Sequence, residues 1–167
     1  MTTHATLHVT APGDREIVMT RLFNAPRSLV FDCYTKSELL TRWLTGPDGW
    51  SFLTCDNDLK VGGVYHWIWR HADGRTMGLH GVYREIVRPE LIVRTEVFDG
   101  QDKEGETLGT ILLTEQDGKT TVTTTAVYPS REARDGMLKV GMTKDVSASY
   151  DRLDGVLESL GSSQSAA

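Results

Sequence analysis

From residue 64 the chain reads VYHWIWRHADG, with Tyr65, Trp67 and Trp69 at alternate positions before an Asp-Gly turn signal. Alternation of this kind is the two-residue period of a β-strand, so the three aromatics share one face of a sheet. Similar strand-like runs occupy residues 50–56, 77–87, 91–98, 107–115 and 119–128, separated by Gly62-Gly63, Asp73-Gly74, Arg88-Pro89-Glu90, DGQDKEGE and Asp117-Gly118. Such short connections favour antiparallel hairpins over crossover helices. Upstream, REIVMTRLFN (15–24) reads as one main strand, and TLHVT (6–10) as a short extension before it.

Helical spacing interrupts the strands twice. Pro26 suits the first turn of a helix, and Leu29, Val30, Cys33 and Tyr34 follow at steps of one face, which predicts a helix over 26–35. Ser37 before ELLTRWL predicts a second short helix, stopped at Gly46-Pro47. From Ser130 the alternation ends. Leu138, Met142, Val146, Tyr150, Leu153, Leu157 and Leu160 recur at three- and four-residue steps, with Val156 widening the stripe, and predict one long amphipathic helix. The sheet is the surface large enough to cover that stripe. The expected architecture is α+β: a curved antiparallel sheet of six to seven strands gripping a long C-terminal helix, in a single domain over 1–160 with a flexible tail at 161–167.

Composition narrows the function classes. The 167 residues suffice for a real core, and 23 acidic against 18 basic residues give a net charge of −5 with no basic run, which argues against a nucleic-acid partner. No apolar run approaches the roughly 20 residues of a membrane span, and MTTHATLHVTAPG lacks the basic and apolar regions of a signal peptide. The expectation is a cytoplasmic protein without membrane contact. Cys33 and Cys55 have neither CxxC spacing nor a histidine pattern and read as buried thiols.

The stretches REIVMTRLFNAPRSLVFDCYTKSELLTRWL, DLKVGG, GVYREIVRPE and GMTKDVSASYDRLDGVLESL resemble the SRPBCC superfamily with its START-like helix-grip fold, and specifically the C-terminal domain family of the activator of heat-shock protein ninety ATPase. The resemblance covers about residues 6 to 160. It implies a sheet wrapped around the long helix, with a cavity between them that in many relatives holds an apolar small molecule. It further implies two alternatives. One is contact with a chaperone in a stress response, an activity of proteins that carry a further N-terminal domain not expected in this chain. The other is cyclase or hydrolase chemistry on polycyclic or polyketide-like molecules. The chain departs from the pattern on the long helix, where Val146 stands at a position at which similar proteins commonly carry Trp. Either neighbouring side chains fill the lost volume or the cavity grows.

Within this frame a small apolar or aromatic ligand is the expected partner, and Trp67, Trp69, His80, Tyr83, Met142, Val146 and Tyr150 are the residues expected to line its site. No cofactor and no metal are expected. For Trp67 and Trp69, a solid core and a pocket wall both stand open. His66 and His80 lie on either side of Asp73-Gly74: a two-residue turn pairs Trp67 with His80, whereas a three-residue turn pairs Ile68 with it and puts both histidines on one face. With no third ligand at a suitable spacing, a solvated or hydrogen-bonded pair is expected there in place of a metal site. The strongest catalytic constellation is His80 as proton acceptor with Asp145 or Tyr83 nearby, and Tyr83 shares the face of His80 only if a bulge shifts the strand.

Overall fold

The alternating runs pair into one antiparallel sheet. The computed structural model describes residues 5–166, so His4 and residue 167 lie outside the described residues. The strands are β1 (His8–Thr10), β2 (Glu16–Phe23), β3 (Trp50–Asn57), β4 (Val64–His71), β5 (Thr76–Val87), β6 (Leu91–Phe98), β7 (Thr107–Gln116) and β8 (Lys119–Val127). Their spatial order is β1-β2-β8-β7-β6-β5-β4-β3, a meander closed by β2 returning beside β8. The sheet has eight strands where six to seven were expected, because the short extension pairs with β2 as a strand of its own, Val9 opposite Met19.

Two helices, α1 (Arg27–Thr35) and α2 (Ser37–Trp43), fill the connection from β2 to β3. Pro26 begins α1 as its composition implies: its extended backbone turns the chain, and its carbonyl accepts from the amides of Leu29 and Val30. The Trp43 indole N–H donates to the Cys33 carbonyl at 2.8 Å, which fixes α2 against α1. Cys33 and Cys55 are free thiols, and burial pushes the Cys33 thiol up to about 12, which keeps it unreactive.

The long C-terminal stripe is divided. Helix α3 (Arg131–Lys139) ends at Val140, and α4 (Met142–Ala166) begins after Gly141. Gly141 has φ +78°, in the left-handed region, and its N–H closes on the Leu138 carbonyl. This C-terminal turn turns Leu138 and Val140 outward, with Val140 73 % exposed, so the stripe that packs on the sheet begins at Met142. At its other end α4 continues to Ala166, through most of the segment expected to be a tail. Among the described residues no helix is long and apolar enough to cross a membrane.

Part-buried ion pairs and side-chain hydrogen bonds attach α4 to the rest of the fold. Arg21, on the inner face of β2 and 2 % exposed, lies over the Phe23 ring and donates to Asp154 at 2.6 Å and Asp151 at 3.1 Å. Arg152 donates from Nε to the Trp43 carbonyl at 3.1 Å and from Nη2 to the Gly46 carbonyl at 3.0 Å, tying α4 to the end of α2 and the loop that follows it. The apolar interior forms two clusters. The larger gathers Phe23, Tyr34, Trp43, Tyr65, Trp67 and Tyr150 with α1, α2 and α4, and the smaller gathers Ile17, Met19, Ala126 and Tyr128 under α3 and the start of α4. Val146 packs against both.

Candidate functional site: a cavity between the sheet and the C-terminal helices

At the seam between the two clusters the sheet and α4 do not meet. A cavity of about 320 Å³ lies there, walled by Trp67 and Trp69 of β4, Leu79 of β5, Arg94, Glu96 and Phe98 of β6, Met19 and Ala126 of the smaller cluster, and Met142, Val146 and Tyr150 of α4. Tyr34, Leu40 and Trp43 close it from α1 and α2. Three lining residues are exposed, namely Pro47, Met77 and Asp145, and they mark its mouth between the loop after α2, the β4–β5 hairpin and the start of α4.

Strand pairing puts the opening aromatics on this inner face. Tyr65 stands opposite Gly81, Trp67 opposite Leu79 and Trp69 opposite Met77. Gly81 has no room for a side chain: a Cβ there would lie 1.8 Å from the Thr95 carbonyl and 2.7 Å from the Tyr65 hydroxyl. Trp67 and Trp69 meet edge to face, with centroids 6.3 Å apart. Both are therefore packed into the sheet face and buried while bordering the cavity, a combination of the two readings that the alternation left open. Across from them the Tyr34 hydroxyl donates to that of Tyr150 at 3.2 Å, and burial holds the Tyr34 phenol well above its usual range.

The cavity also has a polar side. Arg94 and Glu96 occupy alternate positions of β6 and so share the inner face with Ile92 and Phe98. The Arg94 guanidinium lies 4.9 Å from the Trp67 ring centroid and 5.6 Å from that of Tyr65. Burial works against its charge, but the neighbouring Tyr65, Glu96 and Tyr83 outweigh it and hold the pKa above its ordinary value. Glu96 lies over Gly109, where a Cβ would come within 2.7 Å of its Oε1. Burial raises the Glu96 carboxyl, and the Arg94 charge only partly offsets it. Neither residue figured among the expected lining. The signal was present in LIVRTEVF: two charges of opposite sign on the parity of Ile92 and Phe98, in a strand otherwise apolar except for Thr95.

Of the residues expected to line a ligand's site, Trp67, Trp69, Met142, Val146 and Tyr150 line this cavity. Tyr83 does not. It is buried on the inner face beyond Tyr65, with its hydroxyl donating to Asn57, and burial raises its phenol. His80 does not either. The hairpin loop is Ala72-Asp73-Gly74, closed by the His71 amide on the Arg75 carbonyl, so His66 stands directly opposite His80 and both point away from the cavity. Neither turn considered from the sequence gives this register, although the two histidines do share a face. The strand shift in β5 comes between Tyr83 and Glu85, too late to bring Tyr83 to the side of His80. The constellation of His80, Asp145 and Tyr83 is therefore not assembled: Asp145 is at the mouth, Tyr83 in the core and His80 outside.

On the outer face Asp99 bridges the two histidines, with His66 Nε2 at 2.7 Å and His80 Nδ1 at 2.6 Å, and His80 Nε2 reaches Asp102 at 3.1 Å. The two histidines are joined through Asp99 and not to each other, and Asp99 is a third ligand-type residue that spacing in the sequence did not reveal. The hydrogen bond to Asp99 raises the His80 pKa, with the part of its burial opposing and Asp102 adding to the rise. His66, His80 and Asp99 offer ligand atoms within 4.8 Å of one another, the geometry in which a divalent ion could be held.

Comparison with known proteins agrees with the fold. The profile of a family described as Activator of Hsp90 ATPase homolog 1-like protein matches residues 24–158. A crystal structure of a protein from Rhodobacter sphaeroides is 28 % identical, with a TM-score of 0.85 over 93 % of this chain and 99 % of that one. A solution structure of a protein from Staphylococcus epidermidis is 26 % identical, with a TM-score of 0.78 over 89 % and 93 %. A protein from Mycobacterium smegmatis, 22 % identical with a TM-score of 0.80 over 92 % and 96 %, shares the fold. No curated protein matches the chain.

Proposed function

Because the chain belongs to the Activator of Hsp90 ATPase homolog 1-like family and has the SRPBCC helix-grip fold, we propose that it is a cytoplasmic small-molecule binding protein that holds an apolar or aromatic ligand between the sheet and α4. The family supports a ligand-binding or activator-like function in general. The observation that carries the binding reading is the cavity itself, about 320 Å³ and walled by Trp43, Trp67, Trp69 and Tyr150, within the few-hundred-Å³ range of small-molecule sites. Aromatic walls with a few polar groups suit a flat apolar guest, whose burial supplies about 25 cal/mol for each Å² of apolar surface removed from water.

Three of the four tryptophans line the cavity, so their emission reports its occupancy. Titration with two-ring aromatics and medium-chain lipids is expected to give a saturable fluorescence change, and native mass spectrometry of the purified protein a bound mass. No saturable response to either class, together with no co-purified mass, would rule the reading out. The activator reading rests on the family alone. A coupled assay of chaperone ATP hydrolysis tests it, and on the binding reading addition of this protein leaves the rate unchanged.

A further inference from the structure

Three hydrogen-bond donors in the cavity wall are buried without an acceptor among the described residues: Arg94 Nε, Arg94 Nη1 and Trp67 Nε1. The other two tryptophans of the wall differ, since Trp43 donates to Cys33 and Trp69 donates to the Leu44 carbonyl at 2.9 Å. A buried donor left unpaired is destabilising, and more so when it is charged. Arg94 is 9 % exposed and Trp67 fully buried, and they adjoin, with the guanidinium over the indole. Three of the four unpaired buried donors among the described residues are therefore at one place, the fourth being Arg21 Nη1, away from the cavity. Stacking on Trp67 and Tyr65 leaves the guanidinium edges as the route by which an acceptor would reach it.

Glu96 does not take that place. No ion pair joins it to Arg94 within 4 Å among the described residues, its carboxyl lies over Gly109, and burial moves it toward the neutral form. Arg94 thus places a positive charge and unpaired, buried donors beside a cavity walled mostly by aromatic and aliphatic groups, with Glu96, Asp145, Thr107, Thr124 and Ser149 as the further polar lining.

Building on the small-molecule reading above, we propose that the ligand is an amphipathic organic anion, in its simplest form an aromatic carboxylate, whose oxygens accept from Arg94 and Trp67 while its apolar body fills the space toward Val146 and Met142. The charge-assisted bond from Arg94 supplies the preference for an anion, and Trp67 adds a neutral donor.

The test compares 2-naphthoic acid, 2-acetylnaphthalene and 2-methylnaphthalene by calorimetry at neutral pH and fixed salt. The acid is expected to bind at least about tenfold tighter than either neutral compound. Arg94→Gln is expected to abolish that advantage and leave the neutral compounds within about twofold, and Trp67→Phe to weaken the acid severalfold while sparing 2-methylnaphthalene. Thermal melting checks that each variant is folded. Should Arg94→Gln not fold, Trp67→Phe and the comparison of the three compounds on the unaltered protein decide the matter. An acid no tighter than the ketone or hydrocarbon, or an advantage that survives Arg94→Gln, overturns the proposal while the binding reading stands. No binding of any of the three, with no response to lipids, defeats both.

Discussion

His80 is a residue whose role is decided by one step of register. With the hairpin loop centred on Asp73, His80 meets Asp99 and Asp102 in solvent instead of a ligand in the cavity. A pH-dependent contribution to stability follows. The Asp99 hydrogen bond raises the His80 pKa above its ordinary 6.5, so the stability it lends is complete below that value and is lost as pH rises through the raised one. Asp99 behaves oppositely: its two histidine hydrogen bonds outweigh a burial effect that would raise it, and its contribution is lost in acid as its lowered pKa is passed. The pair is thus most stabilising between the ordinary carboxylate range and the ordinary histidine value of 6.5. Melting temperature measured from about pH 6 to about pH 9 is expected to fall by a component that His80→Gln lacks. Because both side chains are about one-third exposed, that component is small, under about 1 kcal/mol. Arg94 makes the complementary point, since its parity in β6 was readable from the sequence but its missing acceptor emerges only when neighbouring strands are in place.

At the scale of elements, strands and helices were legible nearly throughout, because period two and period 3.6 are imposed by one apolar layer each. Boundaries of β3 to β8 fall within a residue or two of the runs that predict them. What the pattern concealed was the break between α3 and α4. Leu138 keeps helical spacing with Met142, so periodicity alone carries the helix across Gly141, and only the backbone angle there shows the stop. Nothing lies within 4 Å of where a Gly141 Cβ would sit, so a side chain is opposed by conformation and not by collision. Gly141→Ala is therefore expected to cost about 1–2 kcal/mol, read as a lower midpoint in urea with unchanged slope. Gly136, inside α3 with equally open surroundings and an ordinary helical backbone, is the control: Gly136→Ala is expected to be neutral or stabilising by up to about 1 kcal/mol.

For the molecule as a whole, the cavity exists because two apolar clusters are joined without being fused. Val146 belongs to the rim of both, on the turn of α4 that faces the sheet, at the position where resemblance led one to expect Trp. An indole there would project from α4 into the seam, toward Met19 and Ala126 on one side and Trp67 on the other. The space is already empty, so Val146→Trp fills volume instead of displacing packed atoms, and the overpacking cost of about 1–3 kcal/mol expected in a solid core does not arise. The variant is expected to melt at a temperature equal to or above that of the unaltered protein, and to lose at least about tenfold in affinity for two-ring aromatics by exclusion. Melting and titration on the same sample separate the cases. A variant that is destabilised by more than about 1 kcal/mol would mean that the seam is closed in solution. One that is stable yet still binds at full strength would place the ligand elsewhere on the protein.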